Sequence, residues 1–275
     1  MQNSPKNIES ALLNKTSLSF GTLIEISKYI IVIGVIIWLL ISGSHQQGYN
    51  WQWYRVPKYI FTWNNNGFVA GPLLKGLYIT LKISGISLLL SFIIGLATAL
   101  LRLSDSIMGK IVARCYLELI RNTPLLVQLF FIYFVLGPIL DIERLTSAVL
   151  ALSLFEGAYA SEIFRAGILS IPSGQWEAGF SLGLDRYNTY RLIILPQAIR
   201  HILPPLTNQA ISLIKDSALV STIAIYDLTM QGQAIIAETF LTFELWFTIA
   251  AIYLMLTISL STLVNFLEKH FRIES

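Results

Sequence analysis

The sequence predicts an all-α, polytopic membrane protein: a transmembrane helical bundle of about six spans. Three observations predict it. Of 275 residues, 55% are apolar and only 13% are charged, against roughly a quarter charged in a soluble domain. The apolar residues gather in runs of the length that crosses a bilayer, about 20 residues as a helix. Tyr and Trp crowd into a stretch between two of those runs, as rings do at a membrane–water boundary. Mean hydropathy, at +0.65, agrees.

Residues 1–27 are polar and mixed in charge, and read as a cytoplasmic N-terminal tail. Lys28 to Ser42 is a short, mostly apolar run. Glu9 and Glu25 make a poor signal n-region and no A-x-A site follows, so 28–43 is assigned as an uncleaved N-terminal transmembrane span. Residues 44–70, with Tyr49, Trp51, Trp53, Tyr54, Tyr59, Phe61, Trp63 and Phe68, read as an external interfacial loop. A docking surface for an external partner is the other reading of that loop.

The second span runs from about Leu74 to Leu101, with Arg102 at its inner end and Lys75 and Lys82 able to snorkel outward. Residues 103–123 follow with Lys110, Arg114 and Arg121. The third span is placed at Pro124 to Leu140 and the fourth at 146–169. A loop at 170–195 leads to a fifth span that starts at Pro196, bends at Pro204-Pro205 and is interrupted at Lys215-Asp216-Ser217. The sixth span is 241–267, and 268–275 is a cytoplasmic tail.

Orientation follows from Lys and Arg. With the N-terminus inside, the inner segments hold Lys6, Lys15, Lys28, Arg102, Lys110, Arg114, Arg121, Arg165, Arg186, Arg191, Arg200, Lys269 and Arg272. The outer segments hold only Arg55, Lys58, Lys75, Lys82, Arg144 and Lys215. The positive-inside rule therefore puts both termini and the 170–195 loop in the cytoplasm.

That loop is the organising stretch. Ser173 is a candidate N-cap, Gln175 to Leu182 can make two helical turns, and Gly183 is a natural left-handed stop. Asp185 can cap a second short helix, which Pro196 kinks or ends. Ala178 and Gly179 would leave the face of this helix–turn–helix open to close approach. The alternative reading is an ordinary amphipathic loop helix.

Glu177, Ala178, Gly179, Gly183, Ile193, Leu195 and Pro196 resemble, spacing included, the EAA loop of membrane subunits of ABC importers, with Gly179 where Ala is usual. Arg121-Asn122-Thr123-Pro124-Leu125-Leu126-Val127-Gln128, Ala158 to Arg165, and Lys215 to Leu219 are similar to blocks in permeases for polar amino acids. Asn122 stands where Gly is commoner, and Ala218 where Ser or Thr often occurs. The resemblance covers about 71–267 as the importer's transmembrane domain.

It implies a permease subunit coupled to a cytoplasmic ABC ATPase dimer through Glu177, Ala178, Gly179, Gly183, Leu195 and Pro196. It also implies a second permease subunit, identical or similar, an external solute-binding protein, and a place in the bacterial inner membrane. ATP and Mg would bind the ATPase, since this chain has no G-x-x-x-x-G-K-[ST] loop. No catalytic residue, metal or cofactor is assigned here: Cys115 is the single cysteine and the three histidines lie far apart in sequence.

Ionisable groups at membrane depth usually face protein or a water-filled path. Glu156 lies mid-span, flanked by the small residues Gly157, Ala158, Ala160 and Ser161. For it, contact with the ammonium group of an amino acid and an interhelical hydrogen bond are both open. Glu162 has a basic residue, Arg165, at i+3 and favours an ion pair. Gln128 is either a path residue or a clamp between helices. Lys215 and Asp216 lie roughly 30 Å beyond Pro196 along a straight helix, which suggests an outer-face ion pair or a solute contact. An importer of an opine or methionine, a passive channel and a structural membrane subunit are the alternatives. An intramembrane enzyme lacks a nucleophile–base pair, and Glu156 and Glu162, six residues apart, point to different sides of a helix.

Overall fold

The computed structural model describes residues 20–46, 49–64 and 67–271. Two units separate within the chain, 1–52 and 53–275. In the first, the expected 28–43 span lies inside a longer helix, α1 (Phe20–Gln46), in which Tyr29 to Ile33 are exposed. The expected tail at 1–27 lies mostly outside the described residues.

The second unit opens with a 3-10 turn (Trp53–Arg55), a short helix α2 (Pro57–Ile60) and an antiparallel hairpin, β1 (Phe61–Asn64) and β2 (Gly67–Ala70). Phe61 pairs with Ala70, and Trp63 with Phe68. This short hairpin is a minor addition to an otherwise helical fold, and its β-branched and aromatic residues explain it: Thr62, Val69, Phe61, Trp63 and Phe68 alternate along two four-residue strands.

The helices α3 (Pro72–Leu103) and α7 (Arg144–Leu169) form the spine. Their contact is a seam of small residues. A Cβ on Gly95 would lie 2.8 Å from the Ala160 Cβ, and one on Gly157 would lie 3.0 Å from Ile94. Close backbone approach of this kind holds helices together where both are surrounded by lipid and apolar burial gives little net drive.

Residues 103–123, assigned no element from sequence, are mostly helical. They form α4 (Ile107–Arg121), whose N-cap Ser106 accepts a hydrogen bond from the Gly109 N–H at 3.1 Å. Pro124 then breaks the helix. The chain turns 105° into α5 (Leu125–Phe130), a π segment (Phe131–Leu136) and α6 (Gly137–Leu140). After α7 come α8 (Ser173–Ser181), α9 (Arg186–Thr189) and a π segment (Tyr190–Ile194). α10 (Leu195–Asp216), a 3-10 segment (Ser217–Ile223), α11 (Leu228–Thr239) and α12 (Thr242–Phe271) complete the chain.

Among the described residues, Pro72–Leu103, Arg144–Leu169 and Thr242–Val264 are each long and apolar enough to cross a membrane. The bent pair Ile107–Arg121 and Leu125–Leu140 qualifies when taken together. α10, the expected fifth span, is long enough but carries Gln197, Arg200, His201, Asn208, Gln209 and Lys215. Only Ala198, Ile202, Leu213 and Ile214 of this helix are buried, and Arg200, His201, Asn208 and Lys215 are exposed. One apolar cluster gathers α5, α7 and the 3-10 segment around Leu129, Leu152 and Val220. A second gathers α7, the π segment before α10 and α10 itself around Phe164, Ile194 and Ala198.

Candidate functional site

The helix–turn–helix at 173–195 forms as the turn residues dictate. Gly183 adopts φ +78, its N–H reaches the Phe180 carbonyl at 2.9 Å, and the Leu184 N–H reaches the Gly179 carbonyl at 3.1 Å. This pair of bonds is the Schellman stop, which needs a residue tolerant of the left-handed region. Asp185 caps α9 by accepting from the Asn188 N–H at 2.9 Å. Ser173, however, is the first residue of α8 and not its cap; Pro172 holds that position and no side chain caps the helix.

Gly179 corrects a second expectation. It is buried, and a Cβ there would stand 2.5 Å from Thr189 Cγ2. It lets the two arms of the loop close on one another and offers nothing to a partner. What faces outward is Glu177, Ala178, Phe180, Leu182 and Tyr187, all exposed. Phe180, Leu182 and Tyr187 escaped the sequence reading. Their signal was present: large apolar side chains in a loop that is otherwise polar.

Pro196 does not end a helix. It sits in the first turn of α10, directly after the π segment, and Leu195 is half-buried at that junction. The widened turn accommodates a proline that lacks an N–H and would otherwise crowd the preceding turn.

The loop is fastened to both flanking helices. Trp176 packs against Phe180 and Tyr190, with ring centroids 6.5 and 6.2 Å apart. Burial raises the Tyr190 hydroxyl above its ordinary pKa, so it remains a neutral wall for Trp176. Gln197 donates to Gln175 Oε1 at 3.1 Å, tying α10 to α8. Ile171 and Ile194 sit in the same buried cluster as Phe164 and Ala198. α8 is thus joined through these contacts to the cluster that α7 and α10 share.

Deeper in the bundle, Glu156 is 1% exposed at the middle of α7. Gln209 of α10 donates to its Oε2, and the Asp216 carboxyl also faces it. Glu156 Oε1 is buried with no hydrogen-bond partner. Asp216 is thus turned inward to a second carboxyl and does not form an outer-face pair with Lys215, which is exposed. Gln209 was missed in sequence, although it lies seven residues before Asp216, two turns along the same face of the helix.

Glu162 takes up the structural role expected of it, more fully than one ion pair. Arg102 reaches Oε1 at 2.6 Å, Arg121 reaches it at 3.0 Å, and Arg165 reaches Oε2 at 3.1 Å. Gln128 is the clamp: its amide donates to the Ile120 and Thr123 carbonyls at 2.7 and 3.0 Å and to Thr123 Oγ1 at 2.8 Å. These bonds fasten the bend between α4 and α5.

The chain has counterparts among known proteins. Residues 91–273 match the family of the binding-protein-dependent transport system inner membrane component. The chain belongs to that family. The glutamine transport system permease protein GlnP of Escherichia coli strain K12 is 42% identical over 216 residues, 78% of this chain and 99% of that one. The L-cystine transport system permease protein TcyB of Bacillus subtilis strain 168 is 45% identical over 166 residues, 60% of this chain and 71% of that one.

A crystal structure of an amino acid ABC transporter with histidines superposes with a TM-score of 0.69 at 40% identity. It covers 73% of this chain and 94% of its own. The MetNI methionine ABC transporter shares the fold, at a TM-score of 0.62 and 19% identity, over 72% of this chain and 95% of its own. This inner membrane component is therefore a polytopic helical permease of the ABC transporter class.

Proposed function

We propose that the chain is the permease subunit of an ATP-driven importer of polar amino acids, working beside a separate ATPase dimer. The carrying observation is the 173–195 loop: Glu177 and Phe180 of α8, Leu182 at its end and Tyr187 of α9 are exposed, while Trp176 of α8 packs against the buried cluster formed by α7 and α10. Glu177, Ala178, Gly179, Gly183, Leu195 and Pro196 form the coupling element in two different ways. Glu177 and Ala178 meet the ATPase, whereas Gly179, Gly183, Leu195 and Pro196 give the element its shape.

Both termini and this loop lie in the cytoplasm, residues 28–43 cross the membrane, and an external solute-binding protein delivers the solute. ATP and Mg are held by the ATPase. Closure of the ATPase dimer pushes α8. Because α8 is fastened to α7 and α10, the bundle rocks against a second permease subunit, giving alternating access around a midplane site.

That site is the Glu156 carboxylate, with Gln209 and Asp216 beside it. A buried carboxylate with an unpartnered oxygen suits the ammonium group that every amino acid carries. The relatives named for glutamine and cystine support this solute class.

The test is solute-stimulated ATP hydrolysis by the purified complex in liposomes, wild type beside Glu177→Lys. Hydrolysis should rise with loaded binding protein and collapse in the variant, while the ATPase still co-purifies. Running amide, basic and acidic amino acids, an opine and methionine through the same assay identifies the solute. Normal coupling in the variant would defeat the assignment.

A further inference from the structure

Helix α4 divides its surface into three sectors at 100° per residue. Ala113 and Leu117 are buried and Tyr116 is half-buried, its hydroxyl donating to the Leu154 carbonyl of α7 at 2.6 Å. Ile107, Met108, Ile111, Val112 and Leu119 form an exposed apolar sector. Between the two runs a polar strip of Lys110, Arg114, Glu118 and Arg121. The strip lines a recess of about 580 Å³ that Arg102 and Tyr159 also line.

The charges in this recess do not balance. Glu162 is already held by Arg102, Arg121 and Arg165, and Glu118 accepts from Asn122 at 2.8 Å. The side chains of Lys110 and Arg114, one turn apart, have no hydrogen-bond or ion-pair partner among the described residues and open into the recess. Two adjacent unneutralised cations form a receptor for a phosphate group.

From this arrangement we propose that the recess beside α4 binds the phosphate headgroup of an anionic phospholipid. α4 itself lies in the membrane interface with its apolar sector among the acyl chains. The 105° turn into the next span suits an in-plane helix, and apolar side chains beside a basic strip give the pattern of helices that lie in a headgroup region. Basic pockets between helices on the cytoplasmic side recognise anionic headgroups by the same charge complementarity. The recess lies at the end of the bundle that carries the 173–195 loop, since Arg186 of α9 reaches within 3.9 Å of Asp105, just before α4. A lipid there would lodge against α3, α4 and α7 and steady the helix that feeds the loop.

Cys115, the single cysteine, is exposed on the apolar sector and gives the probe. A neutral fluorophore placed there in the full-length protein is reconstituted with phosphatidylcholine and phosphatidylglycerol, one or the other carrying brominated acyl chains. Brominated phosphatidylglycerol should quench with roughly thirtyfold preference over brominated phosphatidylcholine at low salt, the strength expected of two interfacial cations. The preference should fall to twofold or less in Lys110→Gln/Arg114→Gln and weaken with added salt.

Quenching by neither lipid would place Cys115 against protein or water and overturn the proposal. So would equal quenching by both lipids in the wild type, or an unchanged preference in the double variant. Inorganic phosphate is the last arm. If it removes the preference at an ionic strength where chloride does not, the site takes a soluble anion and the lipid assignment falls.

Discussion

Glu156 and Glu162 stand six residues apart on one helix and lead opposite lives. Glu162, its side chain 27% exposed, is surrounded by three guanidinium groups from α3, α4 and α7. Glu156, 1% exposed, has an amide, a second carboxyl and an oxygen with no partner. Residue type and depth in the sequence do not separate them; the chemistry of the neighbours does. A carboxylate whose lone pairs are all taken by fixed cations is a fastening. One left short of partners is open to a solute, the role proposed for Glu156.

The sharpest way to break the comparison is to remove the fastening. Glu162→Ala leaves Arg102, Arg121 and Arg165 converging with nothing between them. The expected loss is about 2 kcal/mol, between the small worth of exposed pairs and the large penalty of stripping one partner from a buried pair. Thermal unfolding in detergent should shift down clearly, and Glu162→Gln, which keeps the shape and some of the hydrogen bonding, should recover part of the loss. If Glu162→Ala unfolds like wild type but ceases to transport, the fastening reading is wrong and Glu162 joins the path.

Much of this contrast was legible in the sequence, and the reasons it was not all legible are physical. The Glu162–Arg165 pair follows from i, i+3 spacing alone, and Gly183 and Asp185 were readable because turn and cap chemistry is local. Arg102 and Arg121 lie 60 and 41 positions from Glu162, so only the packing of α3 and α4 on α7 brings them in. Asp216 failed for a related reason. A straight-helix distance from Pro196 takes no account of where Glu156 lies across the bundle. Gly179 was read as a gap for a partner when it is a gap for Thr189, because a missing side chain does not say which side needs the room. Residues 103–123 were given no element from sequence, only the basic residues Lys110, Arg114 and Arg121, although the spacing of Ile107, Ile111, Cys115 and Leu119 is helical.

The second prediction removes the site rather than the fastening. Glu156→Gln keeps the volume and the hydrogen bond partner to Gln209, so the protein should assemble and unfold as wild type does or slightly better, since a buried charge short of partners is relieved. Amino-acid uptake by the reconstituted complex should fall about tenfold, the equivalent of one hydrogen bond to a charged group. A variant that loses stability while its uptake stays intact would make Glu156 a structural residue like its neighbour and erase the contrast.

The smallest effect expected lies just past Glu156's partner. Lys215 is next to Asp216 in the chain, yet it is exposed whereas Asp216 turns inward to Glu156. Consecutive helical residues point about 100° apart, so adjacency in sequence gives Lys215 no share in the site. Lys215→Gln should change uptake less than twofold and stability by less than about 0.5 kcal/mol, as surface substitutions do. The measurement that matters is the uptake rate set beside that of Glu156→Gln. A tenfold loss in both would mean that the lysine swings over the carboxyl pair during transport. The site would then hold a zwitterion at both of its ends, with Lys215 taking the solute's carboxylate and Glu156 its ammonium.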